Sequence, residues 1–229
     1  MPWDDTTVVL VHGAWADGSS WGSVIASLKA QGVKAVAAPL PLTSLADDVA
    51  AVARTIARID APVVLVGHAY AGAVIGETRC EKIKSLVYVA ALAPDEGETV
   101  ADVFYRGEPH PKAPKLGPDE NALIWLPEEA FADAFAQNAP PETQGVLAAV
   151  QRPIAIPCIT APVGVPSWRS LPSWYLLAED DRMIVAETQR FMAERMKAGV
   201  RAHPVDHSPG ITAPALVVDI INEAIRDAG

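Results

Sequence analysis

The Val-rich run Pro62 to Val66 (PVVLV) passes directly into Gly67-His68-Ala69-Tyr70-Ala71-Gly72, and the apolar run that begins there, AGAVIG, reads as the start of a helix. A strand that becomes a helix with no linker brings two backbones almost into contact. Small residues are needed where they touch. The middle residue of such a turn is held in strained geometry, with its side chain projecting above the sheet.

The same strand-then-helix logic recurs along the chain. Thr7 to Val11 (TVVLV), Lys34 to Ala38 (KAVAA) and Ser85 to Leu92 (SLVYVAAL) are short apolar runs bounded by Gly, Pro or charge, which predicts buried strands. Between them, Trp21, Val24, Ile25 and Leu28, and then Leu45, Val49, Val52, Ile56 and Ile59, fall at helical spacing. Ser44, three residues before Asp47, is a helix-capping signature that predicts a helix start near Leu45. Alternation of this kind predicts an α/β fold: a mostly parallel sheet with helices on both faces.

From about Asp95 to Leu171 the texture changes to Pro-rich segments around short helical stretches near 128–137 and 142–150. One domain spanning 1–229, with a cap inserted at 95–171, is therefore expected. The alternation then resumes, with a strand over Ser173 to Ala178, a helix over Ala186 to Ala198 ended by Gly199, a strand over Val200 to Val205, and a last helix over Ala213 to Asp227.

Composition narrows the function classes. The 229 residues are 50% hydrophobic, enough for a sizeable core. A net charge of -10 with no basic cluster to offset it argues against nucleic acid. No apolar stretch reaches the roughly 20 residues of a membrane helix. The start, Met-Pro-Trp-Asp-Asp, is acidic where a secretory signal is basic, and Cys80 and Cys158 suggest reduced thiols, so a cytoplasmic protein is expected. No metal-ligand spacing and no glycine-rich phosphate loop is present, which implies neither metal nor cofactor. A monomer or homodimer suits a domain of this size.

The turn at Ala69 has the context of a nucleophile elbow. The first predicted strand leads into Val11-His12-Gly13-Ala14-Trp15, a loop whose backbone N–H groups could supply one donor to an oxyanion over the elbow, with the Tyr70 N–H as the other. Glu179-Asp180-Asp181-Arg182 and Val205-Asp206-His207-Ser208 each follow a predicted strand. That places an acid and an imidazole at the sheet edge where open α/β sheets build sites.

With these motifs the chain resembles the α/β-hydrolase superfamily, and within it the cap-bearing group of plant methyl-ester esterases, hydroxynitrile lyases and small bacterial esterases. The resemblance implies hydrolysis of a small apolar carboxylic ester, or an amide or carbamate, through a Ser-His-Asp triad. It places Ala69 at the nucleophile, Asp181 as acid ahead of Arg182-Met183-Ile184, His207 as base, and Ala14 and Tyr70 as oxyanion donors. Ser208 stands where the lyases carry Lys, which disfavours cyanohydrin cleavage. Trp15, Ser20 and Trp125, with Phe104, Tyr105 and Trp168, are candidates for contacting substrate under the cap, although aromatic residues also serve as ordinary core. His12 and His68 are expected to be structural, and His110 solvated.

The departure from the family pattern is Ala69. A methyl group has no lone pair with which to attack a carbonyl carbon, so covalent catalysis cannot start here. Three readings follow: a Ser-to-Ala replacement that leaves a substrate-trapping form, a non-catalytic small-molecule binder, or chemistry by His207 without a covalent intermediate.

Overall fold

In the computed structural model, which describes residues 6–227, the chain forms a parallel six-stranded sheet; the acidic start at 1–5 lies outside the described residues. The strands are β1 (Thr7–Val11), β2 (Lys34–Ala38), β3 (Val63–His68), β4 (Ile83–Val89), β7 (Ser173–Ala178) and β8 (Gly199–His203), in the order β2-β1-β3-β4-β7-β8. Every residue of β1 and β3 is buried. This is why those strands read as continuous apolar runs: both of their faces are covered.

Alternation along each strand divides the core in two. Val8, Leu10, Val64 and Val66 face α1 (Gly22–Ala30) and α10 (Pro214–Asp227). Val9, Val11, Val63 and Leu65 face the other way, toward α2 (Leu45–Ala57), α3 (Ala71–Glu77) and α8 (Ala186–Met196). The Ser44 hydroxyl accepts the Asp47 N–H at 3.1 Å and opens α2 at Leu45, where the sequence placed it.

Two predicted boundaries move, for local reasons. The strand expected to reach Leu92 stops at Val89, because Ala90 takes a φ of 44°. The helix expected to end at Gly199 ends at Met196. Lys197 supplies the left-handed residue (φ 54°), while Gly199 opens β8 where a Cβ would lie 3.1 Å from the Trp174 ring.

Between β4 and β7 run short elements: α4 (Val100–Phe104), β5 (Leu123–Ile124), α5 (Glu128–Ala130) with a π turn over Phe131–Phe135, α6 (Pro141–Val150), β6 (Ile154–Ala155) and α7 (Ile156–Thr160). β5 and β6 pair antiparallel as a separate two-stranded ribbon. This stretch is tied to the sheet's C-terminal edge. Trp15 donates its N–H to Arg152 O at 3.0 Å, and Ala155 donates to Leu42 O at 3.0 Å. Its ends are pinned by Arg169 to Asp95 at 2.7 Å and by Arg195 to Glu98 at 2.8 Å. After β8, α9 (Pro209–Thr212) leads into α10.

Among the described residues, four of the six non-glycine residues with positive φ gather at one edge. Trp15 (58°), Leu42 (60°), Ala69 (50°) and Ala90 (44°) each lie just beyond the C-terminal end of β1, β2, β3 and β4 respectively. Such residues cost of order 1–3 kcal/mol apiece and persist where the surroundings over-determine them. Their clustering points to that edge as the functional one.

The tightest backbone contact is at Gly72, where a Cβ would fall 2.2 Å from Leu92 O. Gly72→Ala is therefore expected to destabilise the fold by about 3 kcal/mol, read as a lower urea midpoint at unchanged slope. Gly117→Ala, with nothing within 4 Å of the added carbon, is the near-neutral control.

Candidate active site

Asp181 follows β7 and His207 follows β8, and the fold brings them together: His207 Nδ1–H donates to Asp181 Oδ2 at 2.8 Å. The carboxylate is saturated. Oδ1 accepts the N–H groups of Met183 (2.7 Å) and Ile184 (2.9 Å), and Oδ2 also accepts Gln189 Nε2 at 2.9 Å. Four N–H donors fix both its position and its role as acceptor. With Nδ1 engaged, Nε2 is the ring nitrogen left for the pocket that His207 lines together with Ala69.

Gln189 escaped the sequence reading. It is fully buried on the inner face of α8, accepts the Ala178 N–H at 3.0 Å and donates to Ile184 O at 2.7 Å, so one side chain braces the strand, the acid and the acid's loop. A polar residue at an inward helical position was the available signal. His207 is held from behind as well. His68 Nε2–H donates to His207 O at 2.6 Å, and the rings of His68 and Phe135 pack on its imidazole at 4.9 and 5.3 Å. The Ser208 hydroxyl is occupied, donating to Phe135 O at 2.6 Å.

The elbow holds Ala69 by its backbone. Its N–H donates to Val89 O at 3.3 Å, and its carbonyl accepts the N–H groups of Gly72 (3.1 Å) and Leu92 (2.9 Å). Gly13 lies against it, since a Cβ there would be 3.0 Å from the Ala69 Cβ. His12 sets the orientation of that loop. The Leu40 N–H donates to His12 Nε2 at 3.1 Å, so the proton sits on Nδ1, which donates to Gly13 O at 2.9 Å. In a trans peptide the N–H points opposite the carbonyl, so the Ala14 N–H is turned away from His12. Among the described residues, no protein group accepts from the N–H of Ala14 or Tyr70, and both residues line the pocket.

A second buried cluster steadies Tyr70. Its hydroxyl donates to Asp48 Oδ2 at 2.7 Å, the Leu42 N–H donates to Asp48 Oδ1 at 2.8 Å, and the Cys158 thiol of α7 lies 3.7 Å from Oδ2. Burial raises the Asp48 carboxyl, pushes the Cys158 thiol up to about 12 and holds the Tyr70 phenol far above its ordinary range. Asp48 sits in a helix first turn, where sequence reading takes acids for capping groups, so this junction too went unseen.

The pocket over Ala69 has a cavity volume of about 60 Å³ and apolar walls, among them Trp15, Phe104, Leu116, Ile124, Ile154 and Met183. Trp15 is fixed there by its indole N–H on Ile124 O at 2.9 Å. Three of the expected substrate contacts, Ser20, Trp125 and Trp168, lie elsewhere. Ser20 lines a separate small cavity with Trp21, His68 and Phe135, and its hydroxyl donates to Asp17 O at 2.7 Å, because the turn Gly18–Trp21 lies behind His68. Trp125 is 47% exposed and bonded to Asp119, since it follows Ile124 on an extended segment and so points to the opposite side. Trp168 is buried away from the pocket, and His110 is half-buried rather than fully solvated. Among the described residues no group of three or more His, Cys, Asp or Glu side chains is placed to hold a metal ion.

Burial, then the adjacent His207, lowers His68 to about 3 from its ordinary 6.5. The unfolded chain takes up this proton near pH 6.5 and the folded one refuses it until about pH 3, so stability is complete above 6.5 and is lost as pH falls toward 3. The loss from this group is up to about 1.4 kcal/mol per pH unit. Urea midpoints measured between pH 7 and pH 4 are expected to fall less steeply in His68→Gln; His12, also lowered by burial, retains part of the slope.

Comparison with known proteins gives this geometry its context. The chain is 24% identical to an alpha/beta hydrolase of Aspergillus novofumigatus, covering 96% of this chain and 97% of that protein. It is 26% identical to a pyrethroid hydrolase of Sphingobium wenxiniae, covering 94% and 86%. Among solved structures it superposes on a pyrethroid hydrolase from Sphingobium faniae with a TM-score of 0.82 at 22% identity, covering 96% and 97%. On a variant of tomato methylketone synthase I it reaches 0.85 at 19%, covering 98% and 99%. Polyneuridine aldehyde esterase gives 0.79 at 21%, covering 96% and 98%. The alpha/beta hydrolase family matches residues 8–220, the whole span from β1 into α10, and the chain belongs to that family.

Proposed function

We propose that the pocket over Ala69 receives a small apolar carboxylic ester, with its carbonyl oxygen on the N–H groups of Ala14 and Tyr70 and its carbonyl carbon between Ala69 and His207. The observation that carries this reading is the convergence of Ala14, Ala69, Tyr70 and His207 on one apolar pocket, with His207 braced by Asp181 at 2.8 Å. The stretch 95–171 serves as the cap, since α4 and the β5–β6 ribbon supply much of the pocket wall. Esterase and hydrolase relatives fit an ester as the ligand. The two free thiols, one exposed at Cys80, suit a reducing cytoplasm.

With a hydroxyl at position 69, His207 Nε2 would take its proton as the oxygen attacked the carbonyl carbon. Asp181 would stabilise the imidazolium, and the two N–H groups the tetrahedral oxyanion. Ala69 removes only the nucleophile. No acyl-enzyme forms, and the chain retains the ester-binding site of a serine esterase.

The intact dyad favours a second reading over a pure binder, because passive binding needs neither a base nor an acid to orient it. His207 would then take a proton from a water as that water attacks the carbonyl, and return it to the departing alkoxide. Acid and alcohol are released with no covalent intermediate on the protein.

p-Nitrophenyl butyrate separates these readings. The Ala69→Ser form is expected to label with a fluorophosphonate and to gain turnover by orders of magnitude, up to about a million-fold. A serine form that neither labels nor hydrolyses the ester overturns the esterase reading. Any slow turnover by the unaltered chain is expected to vanish in His207→Ala; turnover that survives rejects the water route.

A further inference from the structure

The chain neighbours of both Asp181 and His207 are held by one short stretch. Asp180 and Arg182 flank the acid: the Asp180 carbonyl accepts Gln137 Nε2 at 2.8 Å, and Arg182 Nη1 donates to the Asp133 carbonyl at 2.7 Å. Asp206 and Ser208 flank the base: Asp206 Oδ2 accepts the Asn138 N–H at 2.9 Å, and the Ser208 hydroxyl donates to Phe135 O at 2.6 Å. All four bonds end on residues 133–138, which run from the π turn after α5 through the three residues that follow it. The Phe135 ring also packs on the imidazole itself, at 5.3 Å.

The sheet does not supply this alignment. The pairing of β7 with β8 continues past the strand ends through Glu179 N–H to His203 O at 2.9 Å and Asp180 N–H to Val205 O at 3.1 Å. It stops one residue short of Asp181 and two short of His207. Gln189 steadies the acid from α8 and His68 steadies the base from β3, but neither bonds to both loops. Residues 133–138 do. They are stiffened in turn by the π bond from Ala136 N–H to Phe131 O at 2.9 Å and by Gln144 of α6, which donates to the carbonyls of Ala136 and Ala139 at 3.0 Å each.

Asp206 is the costliest part of this arrangement. It is completely buried and, among the described residues, enters no ion pair. Hydrogen bonds alone compensate it: Asn138 N–H on Oδ2, and on Oδ1 the Ser208 N–H at 3.2 Å and the Thr212 hydroxyl at 2.5 Å. The ordinary reading of such an aspartate is that it fastens α9. A neutral side chain would do that with a smaller loss of hydration. Two acceptor oxygens on one short side chain are needed to hold the backbone after His207 and the 133–138 stretch together.

We propose that residues 133–138 form a bracket that positions His207 against Asp181, anchored on the base side by Asp206 and on the acid side by Gln137. This rests on the reading of His207 as the base of the Ala69 pocket. Asp206 and Gln137 are positioning residues, acting on the reaction only through the dyad.

Two variants break the bracket at different points. Asp206→Asn keeps the shape but leaves one acceptor oxygen in place of two, so one side of the bracket loses its partner. Gln137→Ala removes the bond to Asp180 and leaves every charge in place, so its effect reports geometry alone, and it serves as the test should Asp206→Asn not fold. In the unaltered chain, the proton between His207 Nδ1 and Asp181 is read by NMR as a low-field imidazole resonance, assigned by its absence from His207→Ala. It is expected to move upfield in both variants. In the Ala69→Ser form, kcat on p-nitrophenyl butyrate is expected to fall about tenfold with Asp206→Asn and about threefold with Gln137→Ala, with KM within about twofold, because a misplaced base lowers turnover rather than binding. A resonance that stays in place in both variants, or a lower urea midpoint at unchanged kcat, overturns the proposal. If Ala69→Ser does not turn over, the esterase reading fails by itself and the resonance alone decides the bracket.

Discussion

The architecture of the site depends on one steric constraint, the near-contact of backbones where β3 becomes α3. At Gly67 a Cβ would meet Ala71 O at 2.8 Å, and at Gly72 it would meet Leu92 O at 2.2 Å. Because the chain must reverse within that space, Ala69 is driven to a φ of 50° and its Cβ is presented above the sheet. Gly13 then closes against it, so the loop after β1 and the turn after β3 share one boundary. Other residues of positive φ stand after β1, β2 and β4, at the same C-terminal edge of the sheet.

Two buried polar networks hold the surroundings of Ala69 rigid. On one side Asp181 gathers His207, Gln189 and two backbone N–H groups; on the other Asp48 gathers Tyr70, Leu42 and the Cys158 thiol. A buried carboxylate is expensive to leave unpaired, so each network favours the single arrangement in which its partners are all in place. The second network reaches from α2 through the elbow to α7, and so ties the stretch between β4 and β7 to Tyr70, which lines the pocket. The same stretch is fixed again at the loops after β1 and β2, through Trp15 and Leu42.

Against this scaffolding, the chemistry at position 69 is a small change. A hydroxyl and a hydrogen differ little in volume, and nothing in the backbone of the turn depends on which is present. Relatives and structural neighbours of the chain carry the names of hydrolases, an esterase and a synthase, so the fold alone does not dictate the reaction. What decides it is the set of groups at the pocket, which Ala14, Ala69, Tyr70 and His207 line together here.

The sequence by itself determined whatever is written in local periodicity and steric demand: the strands after Thr7, Lys34, Val63 and Ser173, the start of α2 at its Ser44 cap, and the turn that requires small residues around Ala69. It also placed Asp181 and His207 beyond strand ends, because chain order and the sheet's directionality leave little choice. Only the tertiary structure decided who meets whom. Gln189 looks like a helix-surface residue and Asp48 like a helix-cap acid until folding buries Gln189 against Asp181 and its loop, and Asp48 against Tyr70 and the distant Cys158. Ser20 and Trp125 looked available until packing turned them away from the pocket. Local spacing fixes which way a residue points relative to its own element, whereas a hydrogen-bond partner more than a hundred residues distant is selected by the packing of several elements at once. That information is carried by no short segment of the chain.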